Sequence, residues 1–84
     1  MYLLYEGHKI GIRLGLFGKE QIFYDGKEVS AKTSMLSSKH KFQVEEKGET
    51  VNYEVSIVKK LRTIVTINPI SYIIKRNDET ILSL

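Results

Sequence analysis

Cysteine is absent from the 84 residues, so no disulfide can staple the fold and no thiolate can hold zinc. A chain without cysteine is compatible with the cytoplasm, the location expected for it. Proline occurs once, at Pro69, and histidine twice, at His8 and His40. The most apolar stretch, residues 64–74, is interrupted by Asn68 and Pro69. It falls short of the ~20 residues that a membrane-spanning helix needs. The opening residues Met1-Tyr2-Leu3-Leu4-Tyr5-Glu6 have neither the basic start nor the long apolar run of a signal peptide. The expectation is a soluble, cytoplasmic protein without membrane contact.

What is present is modest in size. A chain of 9.7 kDa has room for one domain, residues 1–84, and one core. Such a domain buries only ~60% of the surface its unfolded chain exposes, so every turn and cap matters to its stability. The net charge is +3, which invites a nucleic-acid reading. The distribution argues for an ordinary solvated surface, because Glu20 follows Lys19, Glu28 follows Lys27, and Lys47 sits between Glu46 and Glu49.

Alternation is the main structural signal. Val51, Tyr53, Val55 and Ile57 occupy every second position, with Thr50, Asn52, Glu54 and Ser56 between them. This is a strand with one buried and one wet face. A two-residue turn at Lys47-Gly48 sets Val44 opposite Val51 and Phe42 opposite Tyr53 on one face, with Lys41 opposite Glu54 on the other. It also sets Glu46 against Glu49, a like-charge pair that a longer, bulged loop would relieve. The same construction at Glu6-Gly7 pairs Leu3 with Ile10 and Tyr5 with His8. At Asp25-Gly26 it pairs Ile22 with Val29 and Tyr24 with Lys27, and at Asn77-Asp78 it pairs Ile74 with Ile81 and Arg76 with Glu79. The register between residues 10 and 25 stays open: a tight Gly18-Lys19 turn would set Leu14 opposite Phe23, whereas a bulge near Gly15 would shift the faces. Residues 30–38 are expected to be a loop or a crossing between sheets. A short helix over residues 55–62 is the minor alternative to a strand there.

The pattern predicts an all-β chain of about eight short antiparallel strands, forming a β-sandwich or, alternatively, a small OB- or SH3-like barrel. The expected core is Ile22, Val29, Phe42, Val44, Val51, Tyr53, Val55, Ile57, Ile74 and Ile81. The last hairpin places Ile73 and Leu82 on one face and Ile74 and Ile81 on the other, so it is apolar on both sides. One face serves the core; the other needs a cover, from a second sheet or a second copy of the chain. Ile73, Leu82 and Leu84 are accordingly the candidate interface.

Three segments carry a resemblance to a known family. Ile22-Phe23-Tyr24-Asp25-Gly26-Lys27-Glu28-Val29-Ser30 is followed by Lys39-His40-Lys41-Phe42-Gln43-Val44 and then by Tyr53-Glu54-Val55-Ser56-Ile57. This order of a DGK hairpin, a polar passage and an F-x-V strand resembles the β-domain of the Fas apoptotic inhibitory molecule family. A closing hairpin like the one over residues 75–81 is also similar. The resemblance implies a compact antiparallel sandwich that acts through protein contacts without catalysis, and it carries over no functional residues.

Chemical motifs are weak throughout. Gly18-Lys19 and Gly26-Lys27 are each followed by glutamate, and the positions five before them are Arg13 and Gln21, so neither forms a phosphate-binding P-loop. His8 and His40 fall in different hairpins, with no thiolate to complete a metal site. Glu6, Asp25, Glu46, Glu49, Asp78 and Glu79 all sit at turns, where solvent is expected to keep them ordinary. Ser37 and Ser38 precede His40 closely, but nothing completes a nucleophilic constellation. No enzyme and no cofactor is expected. The rival to a protein-binding role is a nucleic-acid surface on a small barrel, with Lys59, Lys60, Arg62, Lys39 and Lys41 as a basic face, extended by Lys75 and Arg76. Tyr24 and Tyr72 are the aromatics considered for stacking, with Tyr53 assigned to the core. The sequence therefore predicts a non-catalytic interaction module binding a protein partner or itself, with nucleic-acid binding as the alternative.

Overall fold

In the computed structural model, which describes residues 1–59 and 70–84, the chain is all-β. Among the described residues, eight strands form two four-stranded antiparallel sheets, neither closed into a barrel, the make-up expected of a β-sandwich. Strands β1 (Tyr2–Tyr5), β2 (His8–Leu14), β3 (Lys19–Tyr24) and β4 (Lys27–Thr33) make the first sheet in chain order. Strands β5 (Ser38–Glu46), β6 (Glu49–Lys59), β7 (Ile70–Arg76) and β8 (Glu79–Ser83) make the second, also in chain order. The chain divides into two compact units, Met1–Met35 and Leu36–Leu84. The division falls within residues 30–38, but the passage between the sheets is shorter than expected: residues 30–33 pair with β3 as part of β4 and Ser38 opens β5, leaving 34–37 outside the strands. The segment 55–59 is strand, not helix. Lys60, Arg62, Asn68 and Pro69 lie outside the described residues.

Each sheet is a meander, and tight turns explain why. Glu6, Asp25, Lys47 and Asn77 adopt left-handed backbone with φ between 47° and 52°, each followed by a glycine, or by Asp78, also at positive φ. Two successive left-handed residues define the type I′ turn, whose twist matches the flanking strands. Within β5–β6 the nine paired positions run as the sequence predicts, from Ser38 opposite Ile57 to Glu46 opposite Glu49. The β1–β2 pairs Leu3–Ile10 and Tyr5–His8 also stand as expected.

Two hairpins depart from expectation by one residue. In β3–β4, Tyr24 faces Lys27, but Ile22 faces Ser30 rather than Val29. In β7–β8, Arg76 faces Glu79, but Ile74 faces Leu82 rather than Ile81. Val29 and Ile81 are each the extra residue of a β-bulge, which bends the strand and leaves that residue outside the ladder. The β2–β3 register is also set by its loop: a short 3-10 turn at Leu16–Gly18 places Leu14 opposite Glu20, not opposite Phe23.

The buried apolar residues of the first unit are Ile10, Ile12, Ile22 and Tyr24; those of the second are Phe42, Val51, Tyr53, Val55, Ile57 and Ile74. Ile10, Ile12 and Tyr24 were not among the expected core, and they join it because Ile10–Tyr24 and Ile12–Ile22 are cross-strand pairs on one face. Val29, Val44 and Ile81, expected in the core, are only half-buried. For Val29 and Ile81 the bulge is the reason.

The second hairpin of each unit is the same device used twice. Ile22 and Ile74 hold the last pair before the bulge, Phe23 and Lys75 the first pair after it, and Asp25 and Asn77 open the turn. In both, the turn residue is tied to the strand on its other side. Asp25 N–H donates to the Lys9 carbonyl and its Oδ1 accepts from Lys9 N–H, both at 2.8 Å. Asn77 N–H donates to the Asn52 carbonyl at 2.7 Å, and its Oδ1 accepts from Asn52 N–H at 2.9 Å. A single turn side chain thus fastens three strands together.

Candidate functional site

The outward face of the first sheet departs from ordinary alternation. Ile10, Ile12, Ile22 and Tyr24 point inward, so their neighbours point outward. Those neighbours should be polar on a sheet with one wet face. Instead, β1 puts Tyr2 and Leu4 there, 61% and 67% exposed, and β3 contributes Phe23. Between them, β2 supplies Lys9, Gly11 and Arg13.

The register arranges these residues as a cross. Tyr2 stands opposite Gly11, and Gly11 opposite Phe23, so the two aromatics flank a glycine on the central strand. Above and below the glycine on the same strand are the cations. Lys9 Nζ lies 4.5 Å from the Tyr2 ring centroid, and the Arg13 guanidinium lies 5.6 Å from that of Phe23. The missing side chain at Gly11 leaves a hollow of about 340 Å³ lined by these five residues, with Met1, Ile12 and Gly26. A carboxylate is also present on this face, at Glu28, where it accepts from Gln21 Nε2 at 2.7 Å. Lys19 adds a third cation to the face.

The inward edge of the same unit holds a His–Asp pair. The Nδ1–H of His8 donates to Asp25 Oδ2 at 2.8 Å, and the His8 ring stacks on Tyr24 with centroids 5.3 Å apart. A histidine oriented by an aspartate is half of a nucleophilic triad. Among the described residues His8 makes no hydrogen bond to a hydroxyl, and Asp25 is already committed to the turn. The pair is best understood as a clamp on the hairpin. At the opposite end of β2, the β2–β3 loop exposes Leu16 and Phe17, 82% and 86% accessible.

In the second unit, three polar side chains form a buried network. Tyr53 O–H donates to Glu46 Oε2, and Arg76 Nη2 donates to Glu46 Oε1, each at 2.6 Å. Tyr53 also stacks on Phe42, with centroids 5.2 Å apart. Burial, followed by the hydrogen bond to the Glu46 carboxylate, pushes the Tyr53 phenol up to about 12. The same carboxylate raises the already high pKa of Arg76. The ion pair explains how Glu46 tolerates Glu49 opposite it without a longer loop.

The sequence-predicted site residues are dispersed. Ile73 lies on the outward face of the second sheet among polar neighbours, in a hollow of about 380 Å³ shared with Lys39, Glu54, Ser56 and Lys75. Leu82 does not share that face: the bulge at Ile81 turns it to stand opposite buried Ile74. Leu84, 67% exposed, exchanges backbone hydrogen bonds with Tyr72. Of the expected basic face, Lys39 is 3.9 Å from Glu54, Lys41 stands opposite the same glutamate, and Lys59 closes β6; Lys60 and Arg62 lie outside the described residues. Tyr24 is buried and Tyr72 half-buried, so neither belongs to an exposed stacking surface. His40 is fully buried opposite Val55. The aromatics of the outward face of the first sheet are exposed Tyr2 and half-buried Phe23, which sequence reasoning missed; Phe17 is exposed at the β2–β3 loop. The available signal was that residues 2–5 and 22–24 are apolar at both parities, so one aromatic in each had to face outward.

Among the described residues, no group of three or more His, Cys, Asp or Glu side chains is placed to hold a metal ion, and no helix is long and apolar enough to cross a membrane. No family model, curated protein or solved structure matches the chain.

Proposed function

We propose that this chain is a non-catalytic interaction module, and that its working surface is the outward face of the first sheet. One observation carries this reading. Tyr2 and Phe23 line a glycine-floored hollow, with exposed Leu4 on the same face, where alternation should have made the surface polar. Exposed apolar side chains scattered singly need no explanation, but grouped ones rimmed by charge mark a contact surface. The hollow is shallow and its rim is cationic, which suits docking better than acid–base chemistry. The resemblance of the Asp25-Gly26-Lys27 hairpin to the Fas apoptotic inhibitory molecule β-domain, a module acting through contacts, is in keeping with this role.

Amide-resolved titration tests it. The ¹⁵N-labelled protein is followed during dilution of the protein itself and during addition of oligonucleotides and of acidic and neutral peptide pools. The expected result is a ligand or a self-association step whose shifts centre on Tyr2, Gly11 and Phe23. Shifts confined to Lys39, Lys41 and Ile73, on the second sheet, would overturn the assignment of the surface. Light scattering over the same concentrations separates self-association, the partner expected of Leu82 and Leu84, from a foreign ligand.

A further inference from the structure

The arrangement around Gly11 specifies more than a sticky face. Neighbouring strands lie ~4.8 Å apart, so Tyr2 and Phe23, two strands from each other across Gly11, stand about 10 Å apart at their backbones. A planar ring needs ~3.5–4 Å on either side to touch two flanking rings. The space above Gly11 therefore admits one flat aromatic group between the two side chains. Perpendicular to that line, along β2, Lys9 and Arg13 hold positive charge on either side of the same space. The occupant that satisfies all four is flat and aromatic in the middle and anionic on both sides.

On the reading that this face is the working surface, we infer that the Tyr2–Gly11–Phe23 slot binds single-stranded nucleic acid, taking one base above Gly11 and the flanking phosphates on Lys9 and Arg13. A base in a single strand has free faces to stack and carries a phosphate on each side, as the cross requires. Each cation rests over an aromatic ring in the unbound protein, and in the complex it moves from ring to phosphate, exposing ring surface to the base. A duplex keeps its bases stacked on one another and cannot enter the slot. An acidic peptide would engage the cations but leave the slot unfilled.

Gly11 provides a clean test, because it can be filled without disturbing the strand. Its φ lies outside the left-handed region, and a Cβ built there meets only Phe23 Cβ, at 3.7 Å, an ordinary contact. Valine suits an extended strand. Gly11→Val therefore folds while occupying the floor of the slot.

The experiment uses fluorescein-labelled oligodeoxythymidine and oligouridine of about ten nucleotides, with a duplex of equal length, at low salt. Polarisation should report binding of one or both single strands and weaker binding of the duplex. The affinity should fall with salt with a slope near −1.4, about 0.7 for each of two phosphates, and Lys9→Ala or Arg13→Ala should each remove about half of it. Gly11→Val, with its melting temperature unchanged or raised, should bind at least about tenfold more weakly, as should Tyr2→Ala. A preference between oligodeoxythymidine and oligouridine tells which backbone the slot accepts. No binding of either single strand, equal binding by Gly11→Val, or equal binding of the duplex would overturn the inference. The two readings fail separately. If oligonucleotides are inert while a peptide or a second copy shifts Gly11, the surface stands and its nucleic-acid ligand falls. If oligonucleotides bind and shift only the Lys39–Lys41 side, both fall.

Discussion

Tyr53 donates its phenolic proton to Glu46 across the β5–β6 ladder at 2.6 Å, and from β7 Arg76 takes the other carboxylate oxygen at the same distance. Three strands are tied at one buried carboxylate. Replacing Tyr53 with phenylalanine keeps the stack on Phe42 but removes a donor from a buried, charged oxygen. The expected cost is about 1–3 kcal/mol, read as a lower urea midpoint with an unchanged m-value. Arg76→Met should be worse than Tyr53→Phe, because it leaves Glu46 without its counter-charge. Equal stability of all three proteins would show that the network is a bystander.

The same contact makes stability fall at alkaline pH. The Tyr53 phenol titrates near 10.0 when exposed and near 12 in the folded chain. Between these values the folded state keeps a proton that the unfolded state loses. The contribution is therefore fully present below about pH 10 and is lost as pH rises toward 12. Thermal melts from pH 8 to pH 12 should show a decline that Tyr53→Phe flattens. Absorbance at 295 nm should show one tyrosine ionising late, missing from the variant.

How much of this was legible from sequence depends on the length of the evidence in each strand. The β5–β6 register could be read because two faces agreed over many positions: Val44 met Val51, Phe42 met Tyr53, and Lys41 met Glu54. The bulges could not, because the extra residues Val29 and Ile81 are β-branched and apolar, like the strand residues around them. Nothing in a run such as Thr80-Ile81-Leu82 says which of two adjacent apolar residues is inserted. That single ambiguity put Leu82 beside Ile73 in expectation and opposite Ile74 in fact. The slot was hidden for a different reason. Its members come from three strands, and until β1 and β3 are both registered against β2, Gly11 reads as a gap in an alternating run rather than as a floor.

The β2–β3 loop should respond in opposite directions to two neighbouring substitutions. Gly18 has φ of +78°, and a Cβ there would lie 2.6 Å from the Ser34 carbonyl oxygen, which is backbone and cannot swing away. Gly18→Ala should cost at least about 1–2 kcal/mol, the penalty of left-handed backbone alone. Phe17, at φ of 59°, bears that penalty already while 86% of its surface stays in solvent. Phe17→Gly should be neutral to stabilising by about 1 kcal/mol. Melting curves for both variants check the signs.

The turn side chains Asp25 and Asn77 should be costly to truncate. Alanine at either position loses the bond to Lys9 N–H or Asn52 N–H and must adopt positive φ without local hydrogen bonding. A loss of about 1–2 kcal/mol is expected for each. Asp25→Asn should lose less, since it retains an oxygen for Lys9 N–H and gives up mainly the contact with His8. Hydrogen exchange at Lys9 and Asn52 gives a local readout, which should accelerate in the matching variant alone.

The inserted residues at Val29 and Ile81 have a genetic corollary. Each is half-buried and outside the ladder, so exchanging it for another strand-forming side chain changes little. Losing it is tolerated for the same reason. Deleting one codon preserves the reading frame of the message and leaves Ser30 opposite Ile22, or Leu82 opposite Ile74, now in a regular ladder without the bend. At these two positions the chain uses a residue for curvature rather than for pairing.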